Sequence, residues 1–267
     1  MVAMARRSDD NGPMAGTIHS SRVNEHVGLL EIDHPPRNTL GQAMRAKLRE
    51  LLDALDADLA VRAVVLTGRG EAFCSGDDLR EEAARTGPRD ATFLDFGRLV
   101  EQVEACRVPV IAAVNGWCVG GGLELALGCD VRLASSAARF VCAGVNVGLA
   151  ASAYRLPRTI GVARAKHMLL TGLPHDAAAA ERFGLVTGVY EPGELLPAAL
   201  AFAERVASRA PLAVEATKRI ASRALDLAAA EGRELQAREI HTLRQSADHR
   251  AAVNAFLDKR APAFTRS

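Results

Sequence analysis

A single carboxylate lies inside a run of glycines and apolar residues at 120–127, Gly-Gly-Gly-Leu-Glu-Leu-Ala-Leu. Glu124 is the only charge between Arg107 and Asp130. Burying a carboxylate there is costly unless it is hydrogen-bonded or used. Gly120, Gly121 and Gly122 carry no side chains, so a ligand atom can approach the backbone N–H groups where a helix begins. The helix dipole favours negative charge at that end. Two such donors make an oxyanion hole, and a carboxylate beside a polarised carbonyl suits proton transfer at the neighbouring carbon. The same residues also suit a tight strand-to-helix turn with a dipole-favoured Glu, and the stretch alone does not decide. A dinucleotide site is a weaker option, because Gly-x-Gly-x-x-Gly is not spelled.

A second glycine-punctuated loop spans residues 68–79, Gly-Arg-Gly-Glu-Ala-Phe-Cys-Ser-Gly-Asp-Asp-Leu. It follows an apolar run and offers another place where backbone donors could face a ligand. Residues 80–90 after it are highly charged and read as a solvated segment.

The elements that must position these loops follow from periodicity. Residues 27–32, 63–67, 110–114 and 131–134 are short apolar runs, read as buried strands. Residues 41–59 carry Met44, Leu48, Leu51, Leu52, Leu55 and Leu59 on one stripe of a helix. Strand, helix and strand in that order imply a parallel pair with a crossover. Residues 92–105 are a further helix, 140–149 a strand-like run ending in a turn, and 150–159 and 161–170 helices. Asp176 is a plausible N-cap for a helix over 177–183. After a last short strand at 188–190 the chain is nearly all helix, at 194–208, 211–225, 228–246 and 249–259. Its apolar residues Ile220, Leu225, Leu235, Ile240 and Leu243 suit packing on its own domain or an oligomer interface.

Composition limits the function classes. A chain of 267 residues with 49% hydrophobic residues can bury a sizeable core. Its formal net charge of +1 gives no electrostatic case for nucleic acid. No apolar run reaches the roughly 18 residues of a membrane span. Arg6 and Arg7 have no apolar segment behind them, so residues 1–19 read as a disordered leader rather than a secretory signal. The five cysteines have no Cys-x-x-Cys spacing and the seven histidines no ligand spacing, so no metal and no disulfide is expected, and a cytoplasmic location is.

Four segments together resemble the enoyl-CoA hydratase/isomerase (crotonase) family. They are residues 35–40, residues 72–79, residues 113–130 and the tail Ala255-Phe256-Leu257-Asp258-Lys259-Arg260. The likeness covers about residues 23–264. It implies an α/β crotonase (ClpP-like) fold, a ββα-type spiral core over residues 20–192 and a helical C-terminal oligomerisation region over 193–267. It implies an acyl-CoA substrate, no cofactor beyond that coenzyme A, and a homotrimer or dimer of trimers. Carried over residue by residue, Asp77 (through its backbone) and Gly121 supply the oxyanion-hole donors, and Glu124 is the first of two catalytic glutamates. Arg37, Asn38, Ser75, Leu79 and Arg80 fall where the family meets coenzyme A. Phe256 and Lys259, three apart on one expected helix face, match a tail pair that reaches it across a subunit boundary. An ordinary solvated cation is an equally good account of Arg37, Arg80 and Lys259.

One departure bears on the reaction. Where the family has Pro-Glu-Val with a second catalytic carboxylate, this chain has Ala143-Gly144-Val145. The glycine-rich turn that follows is shortened to residues 150–154, ahead of Arg155-Leu156-Pro157-Arg158. Hydration uses two carboxylates on one water, and losing one costs several powers of ten in rate. The readings are therefore an enoyl-CoA hydratase, or an isomerase, decarboxylase or thioester hydrolase working through Glu124. A non-catalytic acyl-CoA-binding subunit is the alternative from another class. Cys118 or Ser75 as a nucleophile has no His placed by a motif.

Overall fold

The computed structural model describes residues 16–84 and 90–267. The elements in chain order are β1 (Thr17–Arg22), β2 (Val27–Asp33), α1 (Gln42–Ala57), β3 (Ala63–Gly68), β4 (Ala72–Cys74) and α2 (Leu79–Ala84). Next come α3 (Asp90–Ala105), β5 (Val110–Val114), β6 (Trp117–Val119), α4 (Gly121–Gly128), β7 (Val131–Ser135) and β8 (Arg139–Val141). A 3-10 turn (Ala143–Val147) leads to α5 (Arg155–Ile160), α6 (Val162–Thr171), β9 (Pro174–Asp176), α7 (Ala177–Phe183) and β10 (Val189–Tyr190). The chain closes with α8 (Pro192–Ala207), α9 (Pro211–Arg223), α10 (Ala229–Arg244) and α11 (Ala247–Leu257).

Two sheets form. The larger runs β1-β2-β3-β5-β7-β10 and is parallel except for β1 on β2. The smaller runs β4-β6-β8-β9, with only β9 antiparallel. The chain alternates between them. β3 is followed by β4, β5 by β6, and β7 by β8, and each pair then leads into a helix or turn. Every ββα step therefore advances one strand in both sheets, which makes a spiral. Both glycine-rich loops leave the smaller sheet, one after β4 and one after β6, and those two strands are neighbours.

The larger sheet is buried on both faces, as parallel sheets are. Leu30, Ile32, Val64 and Leu66 pack with Leu48, Leu52 and Leu99 in the main core. The alternate residues Val27, Leu29, Ala63, Val65, Ile111 and Ala113 face the other way. They meet Leu195, Ala199, Ala203 and Ala207 of α8, whose alanines recur every four residues and let the helix lie close. α8 thus closes the back of the sheet. Enlarging Ala203 would force the helix away, at about 1–3 kcal/mol.

Several expectations are corrected. Residues 17–19, expected in the leader, are strand β1, and residues 1–15 lie outside the described residues, as does 85–89 of the charged segment. Leu59 lies beyond α1 and is exposed. β4 and β6 were not legible, because three-residue strands are too short for a period. The helix expected over 150–159 begins only at Arg155. Its first five residues form a turn in which Ser152 takes a left-handed φ of 62°. The Asp176 cap is present: its carboxylate accepts from the Ala179 N–H at 2.8 Å. Among the described residues no helix is long and apolar enough to cross a membrane.

Candidate active site

Two backbone turns meet at the centre of the molecule. Gly76 has φ 83°, and a Cβ built there would lie 2.6 Å from the Gly121 nitrogen. A Cβ on Gly122 would overlap the Cys74 carbonyl group, and one on Gly121 would stand 2.8 Å from the Phe96 ring. Only glycine permits this approach. Gly121 opens α4, so its N–H has no acceptor within the helix. Asp77 follows Gly76 on the facing turn, and Asp77 and Gly121 line one cavity of about 1030 Å³.

The Asp77 side chain is held away from this work. Arg45 donates to its Oδ1 at 2.7 Å, to Asp95 Oδ2 at 2.9 Å and to the Leu40 carbonyl at 2.8 Å. Arg45 is fully buried, so the charge is offset by two carboxylates and a carbonyl rather than by water. Leu40 donates its N–H to the Gly76 carbonyl at 2.8 Å, which ties the 34–40 loop to the same turn. Arg45 does not stand out in the sequence as buried, because its charge suggests a solvent-facing position. Its spacing to Leu48, Leu52 and Leu55 places it on the buried face of α1, and that was the available signal.

Glu124 follows Gly121 by three residues in the first turn of α4, which is one helical step. It lines the same cavity and is mostly buried. Its Oε2 accepts from Arg155 Nη1 at 3.3 Å, and Arg155 also donates to Glu104 at 2.6 and 3.0 Å. Two carboxylates on one guanidinium keep Arg155 charged and push its pKa up, with the Glu104 hydrogen bond the larger cause. Arg155 and Tyr154 also line a second cavity of about 840 Å³ and stand between the two.

The position expected to lack a carboxylate does more than lack one. Gly144 is buried and lines the cavity. A Cβ there would meet the Leu149 carbonyl oxygen at 2.7 Å, the Ala151 nitrogen at 2.8 Å and the Ala151 Cβ at 3.1 Å. The shortened turn has folded its backbone into the space a side chain would need. The lining around it is the apolar Ala143, Val147, Leu149, Ala150, Ala151 and Ala153, together with Ser152. Cys142 is near, but burial, followed by the charge of Glu124, pushes its thiol up to about 12. Burial also raises Cys118 well above its ordinary value, which removes it as a nucleophile at neutral pH.

The remaining expected residues separate into two groups. Arg37, Ser75, Leu79 and Arg80 line the cavity, Arg37 over the Trp117 ring at 5.2 Å. Asn38 does not. It is buried with φ 54°, donates to the Arg69 and Ala72 carbonyls at 2.9 and 2.6 Å, and accepts from the His34 N–H at 2.8 Å. It is therefore a brace that shapes the loop carrying Arg37. Phe256 and Lys259 do not share a helix face, because α11 ends at Leu257. Lys259 takes φ 55°, its N–H bonds the Phe256 carbonyl at 3.2 Å, and Arg260 bonds the Ala255 carbonyl at 2.9 Å. This is a Schellman ending with lysine where glycine is usual. Neither residue lines the cavity in the single chain, and Phe256 is 83% exposed.

Comparison with known proteins gives the family. The model of the enoyl-CoA hydratase/isomerase family matches residues 22–267. The chain belongs to the enoyl-CoA hydratase/isomerase family. Among relatives of this family member, the (E)-benzylidenesuccinyl-CoA hydratase of Thauera aromatica is 39% identical over 247 residues, covering 91% of this chain and 96% of that one. A probable enoyl-CoA hydratase of Rhizobium meliloti is 39% identical over 243 residues, 89% of this chain and 94% of its own. The crystal structure of an enoyl-CoA hydratase from Bacillus anthracis superposes with a TM-score of 0.90 at 31% identity, covering 94% of this chain and 99% of that chain. The two-sheet spiral with its C-terminal helices is the crotonase fold.

Proposed function

We propose that this protein is an acyl-CoA enzyme that stabilises a thioester enolate, with Glu124 as its single acid–base carboxylate, and that its reaction is hydration of a 2-enoyl-CoA. The observation that carries the reading is the convergence of the Gly76–Asp77 turn, the Gly121 end of α4 and Glu124 on one cavity. The Asp77 and Gly121 N–H groups would hold the thioester oxygen. Charge that develops there in the transition state is better bound than the neutral carbonyl, and this difference lowers the barrier. Glu124 would take a proton from water and return it to the α-carbon. Arg37 and Arg80 at the cavity rim are suited to the phosphates of coenzyme A. No cofactor beyond that substrate handle is required. A homotrimer, or a dimer of trimers, would let Phe256 and Lys259 of a neighbour contribute. Ile240 and Leu225 are exposed in the single chain, and α10 buries none of its residues, which suits an assembly surface.

Gly144 supports a second reading. With no room for another carboxylate, the same enolate could be used to move a double bond, lose CO2 or release free coenzyme A. The test is mass spectrometry after incubation with a trans-2-enoyl-CoA, a 3-enoyl-CoA and a malonyl-type CoA. A gain of one water, lost in Glu124→Gln, supports hydration. A shifted double bond, loss of CO2 or free coenzyme A moves the protein to the corresponding reaction. No change in any thioester, with binding retained, leaves an acyl-CoA-binding subunit.

A further inference from the structure

The turn that replaces the missing carboxylate carries an unexplained residue. Ser152 lines the cavity, is 4% exposed and takes φ 62°. Its hydroxyl is enclosed and, among the described residues, has no hydrogen-bond partner. Both features disfavour serine. A left-handed φ suits glycine, and a buried hydroxyl without a partner is a net loss. Neither is a requirement of the turn, because glycine would meet the backbone geometry without the unpaired group. Unfavourable features that coincide at one residue in a substrate cavity point to use there.

We propose that the Ser152 hydroxyl binds the water that adds to the acyl chain, as the second polar group beside Glu124. The proposal rests on the hydration reading above. Ser152 is near Glu124 in the fold: three residues later Arg155 bonds that glutamate, and the Ser152 carbonyl accepts the Leu156 N–H at 3.1 Å as α5 begins. In the proposed complex the hydroxyl takes the one of serine's three staggered rotamers that faces the cavity its residue lines. One O–H of the water then donates to Glu124 and the other to Ser152 Oγ, which aims the oxygen lone pair at the β-carbon. Glu124 removes the first proton as the C–O bond forms. The π electrons move to the thioester oxygen as an enolate, and the α-carbon takes the proton back from Glu124. Water is added with no net change on Ser152, which orients and does not transfer a proton.

The experiment compares native protein, Ser152→Gly, Ser152→Ala and Glu124→Gln for steady-state hydration of crotonyl-CoA and for thermal unfolding. Ser152→Gly is expected to fold and to melt higher than the native protein, since it relieves the φ and removes the unpaired hydroxyl. Both serine variants are expected to lose about tenfold or more in kcat, the scale of one lost hydrogen bond, with KM nearly unchanged. Ser152→Gly keeps the test valid even if Ser152→Ala fails to fold. Unchanged kcat in Ser152→Gly, with Glu124→Gln inactive, overturns the inference alone. A rise in KM without a fall in kcat also overturns it, because the hydroxyl would then bind substrate and not water. Native-like turnover by Glu124→Gln, or no hydration by the native protein, overturns the functional reading and this inference with it.

Discussion

Arg155 holds Glu124 by one oxygen. Its Nη1 donates to Glu124 Oε2 at 3.3 Å, while its other nitrogens are fixed on Glu104 at 2.6 and 3.0 Å. The Glu124 carboxylate is therefore braced by a guanidinium that is itself anchored on Glu104, a residue lining the second cavity. Three of the five guanidinium N–H groups of Arg155 are engaged by these two carboxylates, which makes it a support for Glu124.

Removing that support should act on the rate more than on binding. Arg155→Met is expected to lower kcat about ten- to hundredfold, in line with misplacement of a reacting group, and to leave KM within a few fold. Glu104→Gln, which is remote from substrate, should give a smaller loss in the same direction. Arg155→Lys should recover part of it. Steady-state kinetics on all three separates the effects, and the two losses should be non-additive because both act through one guanidinium.

The close approach of the two glycine turns predicts a sharp size limit. Gly122→Ala places a methyl group against the Cys74 carbonyl, which must push α4 off β4 and move Gly121 with it. A lower melting temperature and a loss of about a hundredfold in kcat are expected. Gly232→Ala is the control. It sits in α10 with open space around it and should be neutral or stabilising by up to about 1 kcal/mol. Differential scanning fluorimetry with activity assays distinguishes the two.

Restoring the absent glutamate should fail. In Gly144→Glu the new side chain meets the backbone of Leu149 and Ala151 at under 3 Å. The protein is expected to lose about 1–3 kcal/mol of stability and to gain no hydratase rate. A denaturant titration beside a hydration assay checks both. A faster, stable variant would mean that the turn yields easily.

The buried thiols give a pH dependence. Burial raises Cys74, Cys106, Cys129 and Cys142 to about 12, against an ordinary value of 9.0. Below pH 9 they are neutral in both folded and unfolded chains and contribute no pH dependence. Above pH 9 the unfolded chain releases these protons and the folded chain does not, so stability falls as pH climbs toward 12. Chemical denaturation at pH 8 and pH 10 should show that fall. At pH 8 the folded protein should resist iodoacetamide at all five cysteines, which are buried, and label fully when unfolded.

Much of this arrangement is legible in the sequence. The parallel strands, α1, and the pair of glycine loops follow from β-branched runs, a 3.6-residue period and glycine spacing. Ser75, Asp77, Leu79, Arg80, Gly121 and Glu124, which line the cavity, are the residues that the family resemblance points to. What escaped reading depends on contacts distant in sequence. Asn38 looked like a ligand contact, but its amide spans to residues 69 and 72. Arg45 meets Asp77 and Asp95 from helix α1. Ser152 falls in a run whose pattern suits a helix, yet it takes a left-handed backbone in a turn. Lys259 falls beyond α11, whose end the sequence does not mark because no glycine stops it.

The central claim is that Glu124 moves a proton beside a thioester carbonyl held by backbone N–H groups. Exchange at the α-carbon of a saturated acyl-CoA in D2O measures that step alone, whatever the full reaction is. Butyryl-CoA incubated with the native protein should gain one deuterium by mass spectrometry, and Glu124→Gln should give none while binding the thioester as well. Equal exchange by Glu124→Gln, or no exchange by native protein that binds butyryl-CoA, would contradict the account.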